Sequence, residues 1–263
     1  MRSVRLIGPG RAGLSLARAL SDSGYHIDGI LGRRDDQADA AEGVDVLVIS
    51  TPDDVVASVA AGVRPVEGCV VVHLAASLGL DALDPHDRRA SLHPLVPLPN
   101  PTIGERRLTQ GIAFAVAGDP IAHELARALG GRPFTVADAD RAAYHAAACV
   151  AANHVVALLG QVERIAAATG LDVDAFLDLS RAAIDDVARL GPAAALTGPA
   201  ARGDWATLER HRLALAEDER PGYNAGVALA NRLAQDRVSR RHETTPVSAD
   251  PSPSRPSKVA AGV

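Results

Sequence analysis

The stretch of sequence that decides the fold is Val4-Arg5-Leu6-Ile7-Gly8-Pro9-Gly10-Arg11-Ala12-Gly13. A short run typical of a strand precedes glycines with the spacing G-x-G-x-x-G, and a helical pattern follows to about Ser23. A second strand, Ile27–Leu31, completes a βαβ unit. Because the glycines lie between a strand and a helix, they predict a dinucleotide site with the diphosphate on the helix N-terminus. The alternative is a glycine-rich turn that binds no ligand.

The glycines of this loop have separate predicted roles. Gly8 permits a tight turn, Gly10 lets the diphosphate approach the backbone, and Gly13 lets the helix pack closely on the strand. The predicted cofactor-binding loop contains these residues: Gly8, Pro9, Gly10, Arg11, Ala12 and Gly13.

The end of the second strand decides which dinucleotide fits. An acidic residue at this point would hold the ribose hydroxyls of NAD, but the sequence is Gly32-Arg33-Arg34. Two guanidinium groups suit a 2′-phosphate, which they bind through charge-assisted, bidentate hydrogen bonds. The sequence therefore predicts NADP(H), with a solvent-exposed turn as the alternative. Asp35 and Asp36 follow, and they either orient these arginines or cap the next helix.

Short apolar strands alternate with helical stretches over the first half of the chain. The predicted strands are Val4–Ile7, Ile27–Leu31, Val46–Ser50, Val70–Leu74, Ile112–Ala117 and Pro133–Val136. Such alternation predicts an α/β fold, a Rossmann domain of residues 1–137 with a doubly wound, mainly parallel sheet covered on both faces. An all-helical C-terminal domain is predicted over residues 138–238. Residues 239–263 are rich in proline and serine, which predicts a disordered tail.

The composition excludes several classes of protein and of chemistry. The formal net charge of −5, without a basic stretch in the folded part, argues against nucleic acid as a partner. The two cysteines lie far apart in apolar runs and predict buried thiols in a reducing, cytoplasmic compartment, and the N-terminus shows no export signal. Lys258 is the single lysine and lies in the predicted tail, so lysine chemistry is excluded from the site.

The long predicted helix Ala139–Thr169 contains the most apolar window of the chain together with several polar side chains. His145, Asn153 and His154 would be costly in lipid, so we expect a buried helix and no membrane partner. His145, Cys149 and Asn153 are spaced by four residues and therefore share one face. They form either hydrogen bonds between domains, or a proton donor and an orienting amide beside the nicotinamide. A metal site is not expected, because His154 points away from that face.

Other polar residues follow strands at the edge of the sheet where ligands bind in open α/β folds. Thr51 and Pro52 come after the third predicted strand, and His73 lies at the end of the fourth. We expect these residues to line the nicotinamide side of the cofactor site. Asp53 is expected to be the N-cap of the next helix.

Two further segments combine polar residues with proline or glycine. Ser91-Leu92-His93-Pro94-Leu95 is a polar interruption in an apolar setting, and its histidine can be a capped, satisfied core residue. A tight loop over Ala195–Asp204 carries Arg202, and Asp204 is the expected N-cap of the following helix. Arg202 either pairs with Asp204 or presents its guanidinium group to a carboxylate substrate.

These segments together carry a resemblance to a known bacterial family. The elements are Tyr144-His145-Ala146-Ala147-Ala148 with Asn153, Ser91-Leu92-His93-Pro94, and Leu196-Thr197-Gly198-Pro199 with Arg202-Gly203-Asp204. Behind a Rossmann start, they resemble the Rossmann-like and DUF2520 domain-containing family over about residues 2–238. That family is distantly similar to 6-phosphogluconate-dehydrogenase-like and pyrroline-carboxylate-reductase-like enzymes, in which a nicotinamide domain precedes a helical domain that usually dimerises.

The resemblance implies an NADP-dependent reductase, and some members of the family are linked to reduction of ketopantoate on the route to pantothenate. It implies that His145 and Asn153 lie in the cleft with His93 nearby, and that the helical domain forms a homodimer. One departure concerns Ser77, because the family usually has a Ser-Gly pair directly after His-x, and this chain has Ala75-Ala76 before its serine. Ser77 and Arg202 are the candidate substrate contacts, with Ser77 displaced from the family position.

These residues together predict hydride transfer from NADPH to the carbonyl group of a small oxo-acid. His145 would protonate the developing alkoxide, because histidine has a pKa suited to donating a proton near neutrality, and Asn153 would hydrogen-bond the same oxygen. One alternative is a redox-silent NADP(H)-binding sensor in which His145 and His93 are structural. Another is a reductase of a different acceptor, such as a cyclic imine or a deazaflavin.

Overall fold

The computed structural model describes residues 1–243, with side chains described as far as residue 237. The chain separates into two compact units, of which the first is Met1–Val155 and the second begins at Val156. The sheet lies entirely in the first unit, and its last strand ends at Thr135.

The first unit is built on a seven-stranded sheet with the strand order β2-β1-β3-β4-β5-β6-β7. The strands are β1 (Ser3–Ile7), β2 (His26–Leu31), β3 (Val46–Ile49), β4 (Val70–His73), β5 (Arg89–Pro94), β6 (Ala113–Gly118) and β7 (Arg132–Thr135). Five neighbouring pairs run parallel and only β5 and β6 run antiparallel. The predicted doubly wound, mainly parallel sheet is confirmed, and each of the six predicted strands is found within one residue of its expected ends.

Helices cover both faces of this sheet. They are α1 (Arg11–Asp22), α2 (Asp53–Gly62), α3 (Pro101–Leu108), α4 (Ile121–Ala128) and α5 (Arg141–Cys149). Val46 and Val48 of β3 belong to the core that contains α1 and α4, whereas Leu47 and Ile49 belong to the core that contains α2. Because successive side chains of a strand point to opposite faces, a strand buried on both faces is apolar at every position.

Strand β5 was not expected from the sequence. Its residues Ser91 and His93 were interpreted as a polar interruption, yet Arg89–Pro94 pairs in parallel with β4 and in antiparallel with β6. The interpretation was wrong because Ser91 is buried but hydrogen-bonded, so a polar residue at this position does not break the strand.

The long helix predicted over residues 139–169 has an interruption. A turn of 3₁₀-helix at Asp138–Asp140 leads into α5, a π-helical segment follows at Val150–His154, and α6 (Val155–Ala167) comes next. By length and composition alone, residues 138–167 could cross a membrane. The expected burial of this helix is wrong, because none of its most apolar window is buried within the described chain.

The second unit is all-helical over its described residues, as predicted. After α6 come α7 (Asp174–Leu190), α8 (Pro192–Ala195), α9 (Gly198–Arg202), α10 (Trp205–Ala214) and α11 (Arg220–Glu243). The short helix α9 lies within the segment Ala195–Asp204 that was expected to be a tight loop. Helix α11 continues five residues beyond the predicted end of the helical domain at residue 238, and the rest of the predicted tail lies outside the described residues.

Candidate functional site

The loop between β1 and α1 has the geometry that its glycines predict. Gly8 has a backbone φ of +107°, a conformation that favours glycine, and a Cβ atom there would lie 2.9 Å from the Ser50 backbone. A Cβ atom at Gly13 would lie 2.3 Å from the Gly8 carbonyl oxygen. The Ser50 hydroxyl donates to that same oxygen at 2.8 Å. The first and third glycines therefore allow α1, β1 and β3 to approach each other closely.

Gly10 differs from these two glycines because it faces open space. A Cβ atom at Gly10 would meet nothing within 4 Å. Gly10 is also the N-cap of α1, and the first turn of this helix contains no acidic residue. The N–H groups of that turn have no partner within the helix, and the helix dipole adds partial positive charge. The loop thus offers room, donors and a suitable field for a diphosphate.

Two arginines without ion-pair partners follow β2. Arg33 and Arg34 are exposed, and neither forms an ion pair or hydrogen bond with the described residues. Asp35 does not orient them, because its carboxylate accepts a hydrogen bond from the Gly32 N–H at 2.6 Å. Asp28 pairs with Arg5 and is likewise occupied. Both guanidinium groups therefore keep their donors available for an anionic ligand.

A cleft of about 1000 Å³ connects these features within the first unit. Of the predicted cofactor-binding residues it brings together Gly8, Pro9, Gly10, Gly32, Arg33, Thr51 and Pro52. The predicted residues that do not line it are Arg11, Ala12, Gly13, Arg34 and His73. The Thr51 hydroxyl is buried and has no hydrogen-bond partner, so it can bond a ligand hydroxyl.

Asp53 and Ser77 form a contact that the sequence did not predict. The expected N-cap role of Asp53 is wrong, because Pro52 occupies the cap position and Asp53 is the first residue of α2. Its carboxylate accepts a hydrogen bond from the Ser77 hydroxyl at 2.9 Å. Ser77, a predicted substrate contact, is therefore held at the carboxyl edge of the sheet.

His73 at the end of β4 is fully buried, and neither of its ring nitrogens has a hydrogen-bond partner. Burial, and then the positive charge of Arg141, lowers the pKa of His73 to about 4. The imidazole is therefore neutral at physiological pH. His73 does not line the cleft.

His93 near the end of β5 is joined to a tyrosine that sequence reasoning did not single out. The Tyr144 hydroxyl lies 2.6 Å from His93 Nδ1, and the two rings meet edge to face. Burial, and then the neighbouring His145, lowers the pKa of His93 to about 4, and burial raises the pKa of Tyr144. The scarcity of aromatic residues, with 3 Tyr in the whole chain, was the available signal for this residue.

His145 lies beside this pair, but Asn153 does not join it. His145 Nε2 is 3.6 Å from the Cys149 thiol, one turn along the helix, and His145 Nδ1 is enclosed without a partner. Asn153 lies in the π-helical segment, where it is exposed and makes no hydrogen bond to the described residues. Across the described residues, no group of His, Cys, Asp or Glu is arranged to hold a metal ion.

A buried arginine supports this cluster and was also missed. Arg141 is 1% exposed, its Nε donates to the Asp138 carboxylate at 2.9 Å, and its Nη2 donates to the Ser91 hydroxyl. Its remaining nitrogen, Nη1, is buried without a partner. Asp138 also accepts a hydrogen bond from the Leu80 N–H at 3.1 Å. Arg141 thus ties the start of α5 to β5.

Arg202 belongs to the second unit, at the end of α9, and is exposed. It forms no ion pair with Asp204, whose carboxylate accepts a hydrogen bond from the Thr207 N–H at 3.1 Å. The predicted N-cap role of Asp204 is confirmed. The Arg202 guanidinium has no partner among the described residues.

Comparison with known proteins agrees with this geometry. Residues 112–230 match the family model of DUF2520, a domain of unknown function. Protein TM1727 from Thermotoga maritima is 23% identical with a TM-score of 0.69, and the match covers 90% of this chain and 99% of that one. BF3122 from Bacteroides fragilis, a proposed NADP oxidoreductase, is 20% identical with a TM-score of 0.68, and the match covers 91% of this chain and 98% of that one.

A third solved structure is that of an enzyme with its cofactor. The pyrroline carboxylate reductase of Plasmodium falciparum, with NADP bound, is 12% identical with a TM-score of 0.58 and coverage of 89% and 98%. No curated protein sequence matches the chain. At these identities the likeness to solved structures establishes the fold. The predicted resemblance is confirmed: residues 112–230 match the DUF2520 model, and the chain shares the fold of these solved structures.

Proposed function

We propose that this protein is an NADP(H)-dependent oxidoreductase that reduces a small oxo-acid. The observation that carries the proposal is the cleft between an open glycine loop and an unpaired arginine at the end of β2. The pyrroline carboxylate reductase with a similar fold binds NADP, which supports the choice of cofactor.

The residues of the cleft fit the parts of such a cofactor. The backbone at Gly10 and the first turn of α1 would hold the diphosphate. Arg33 and Arg34 would hold the 2′-phosphate, and the unpartnered Thr51 hydroxyl would accept or donate a hydrogen bond to a ribose hydroxyl. When bound, the reduced nicotinamide supplies the hydride.

Reduction of a carbonyl group also requires a proton at the developing alkoxide. The described residues contain no lysine, and the histidines at the carboxyl edge of the sheet are the groups suited to this step. The sequence favours His145 as the donor with His93 nearby, whereas the predicted role of Asn153 is not proposed again, because its side chain lies apart from this pair. Within the first unit, Ser77 is the proposed contact of the substrate carboxylate.

Two classes of acceptor are supported by different observations. The family resemblance favours a 2-oxo acid, with ketopantoate and hence pantothenate biosynthesis as the first candidate. Pyrroline is a cyclic imine, so the structural likeness to a pyrroline carboxylate reductase favours a cyclic imine acid as the second candidate. Both candidates combine a carboxylate with a polar double bond that can accept a hydride.

We further propose that the protein works as a homodimer in the cytoplasm. Large apolar side chains of the second unit are strongly exposed in the single chain, among them Val156, Leu179 and Leu229 at about 70%. Exposed apolar surface of this extent is typical of an interface. Both cysteines are free thiols, which agrees with a reducing compartment.

The test is turnover measured by NADPH and NADH absorbance with a panel of 2-oxo acids headed by ketopantoate and a panel of cyclic imine acids. We expect NADPH to be consumed with one acid. His145→Ala should lower turnover at least 100-fold and leave NADPH binding unchanged if His145 donates the proton. His26→Ala, an exposed histidine at the opposite end of the sheet, is the matched control.

Tight NADPH binding without turnover on any acceptor would favour the sensor function and contradict the reductase. Full turnover in the His145→Ala variant would leave the reductase intact and remove the role of His145.

A further inference from the structure

The hydrogen bond between His93 and Tyr144 has no role in the function proposed above. The two side chains lie 2.6 Å apart at Nδ1 and the hydroxyl oxygen. The ring of Tyr144 is held on two sides, because its centroid lies 5.7 Å from that of His93 and 5.9 Å from that of Phe134, both edge to face. Such packing fixes the direction of the hydroxyl group.

A second hydrogen bond, from Arg141 to Ser91, joins the same strand and helix and helps to fix the positions of His93 and Tyr144. On β5, Ser91 and His93 are two residues apart and therefore share one face of the strand. On α5, Arg141 and Tyr144 are three residues apart and share one face of the helix. Ser91 accepts from Arg141 while His93 bonds Tyr144, so two parallel contacts join the strand to the helix. This arrangement orients both rings before any ligand binds.

Both members of the pair are neutral at physiological pH. Burial and the neighbouring His145 keep the imidazole of His93 unprotonated, and burial keeps the proton on Tyr144. A neutral imidazole has one N–H donor and one acceptor nitrogen. When Nδ1 donates to the tyrosine oxygen, the tyrosine O–H is free to donate elsewhere and Nε2 is free to accept.

The far side of His93 is open. Nε2 has no hydrogen-bond partner, and it is not among the buried polar atoms that lack one, so it keeps contact with solvent. A path therefore runs from solvent through Nε2, the imidazole ring and Nδ1 to the tyrosine hydroxyl. His145 offers no such path, because its Nδ1 is enclosed and its Nε2 faces the Cys149 thiol.

We propose that Tyr144 is the proton donor of the reduction and that His93 relays the proton to it from solvent. This inference rests on the proposed reductase function. It assigns the donor to Tyr144 in place of His145.

The step balances without a charged side chain. Hydride addition to the carbonyl carbon moves the π electron pair to oxygen. The Tyr144 O–H bond breaks and its proton forms the new O–H bond of the product. The Nδ1 proton of His93 moves to the tyrosine oxygen, and Nε2 takes a proton from water. Exchange with solvent between turnovers restores the starting tautomer of His93.

The experiment compares Tyr144→Phe and His93→Gly with the wild-type protein and the exposed control His26→Gln, on the acceptor that the wild type reduces. Phenylalanine keeps the ring packing and removes only the hydroxyl group. We expect kcat of Tyr144→Phe to fall about 100-fold or more, with the Kd of NADPH within twofold of the wild-type value. We expect His93→Gly to lose kcat and to regain part of it with added imidazole, because the cavity opens to solvent.

Two results would overturn the relay. The first is a kcat for Tyr144→Phe within threefold of the wild type while His145→Ala is inactive, which leaves the reductase standing and returns the donor role to His145. The second is loss of activity in His93→Gly that imidazole does not restore, with NADPH binding retained, which assigns His93 to structure. A wild-type protein without turnover would refute the reductase itself and is recognised before any variant is compared.

Discussion

At the scale of single residues, two buried imidazoles couple the stability of the fold to pH. His73 and His93 both have a pKa lowered to about 4, chiefly because burial disfavours the charged ring. In the unfolded chain a histidine titrates near 6.5. The unfolded state therefore binds more protons than the folded state at any pH between these values.

This difference fixes the direction of the pH effect. The contribution of the two imidazoles is fully present above pH 6.5 and is lost as the pH falls toward 4. A shift of this size corresponds to about 3 kcal/mol for each ring over that window. We expect the urea concentration at which half of the wild-type protein is unfolded to decrease as the pH is lowered from 7 to 4.5.

Carboxylates also become protonated in this pH range and change the stability of the fold. The pH dependence of each variant is therefore compared with that of the wild type. His93→Gln should show a weaker dependence on pH than the wild type in the same urea series. The exposed His26→Gln should keep the full dependence. Identical slopes for His93→Gln and the wild type would contradict the buried neutral state of His93.

At the scale of elements, the sequence predicted the sheet better than the cluster of polar residues beside it. All six predicted strands were recognised from their short apolar runs. The pattern is continuous in β3 and β4, which are buried on both faces, and is broken by polar residues in the more exposed β2 and β7. Strand β5 was missed because Ser91 and His93 interrupt its pattern, and their partners Arg141 and Tyr144 are about fifty residues away. A polar residue satisfied by so distant a partner has no local signature.

The burial of Arg141 at the start of helix α5 could not be predicted from the sequence either. Arg141 would be expected at a surface, since arginine is rarely buried without a partner. Its burial follows from the contacts with Asp138 and Ser91, which only the folded chain brings together. The π-helical segment at Val150–His154 could not be predicted either, because its composition is that of an ordinary helix. Such segments occur frequently at functional sites.

At the scale of the whole molecule, the second unit exposes several large apolar side chains, which is typical of a surface that binds another chain. We expect the protein to elute at twice the mass of one chain in light scattering coupled to gel filtration. Charged substitution at strongly exposed apolar positions, Leu179→Glu with Leu229→Glu, should shift the protein toward the monomer, because a buried unpaired charge opposes association.

The matched control is Asp185→Asn, which changes a surface position on the same helix α7 as Leu179. It should remain a dimer. A wild-type protein that is monomeric at micromolar concentration would contradict the proposed assembly, and the apolar faces would then need another partner.

The residues that would bind the cofactor could be predicted from the sequence more completely than the residues that would carry out the reduction. The glycine loop and the arginines are contiguous motifs whose roles follow from local geometry, and Gly8, Gly10 and Arg33 line the cleft. The residues for the reduction depend on contacts among β5, α5 and the ends of β3 and β4, and there the structure added Tyr144 and Arg141 and left Asn153 apart.

The decisive measurement is a fluorescence titration of the wild-type protein and the Arg33→Ala/Arg34→Ala double variant with NADPH and with NADH. Charge-assisted hydrogen bonds to the 2′-phosphate contribute about 1.5–3 kcal/mol, so NADPH should bind the wild type roughly 10- to 100-fold more tightly than NADH. The double variant should lose this preference and keep its affinity for NADH. Equal affinities in the wild type, or no binding of either dinucleotide, would contradict a site built for NADP(H).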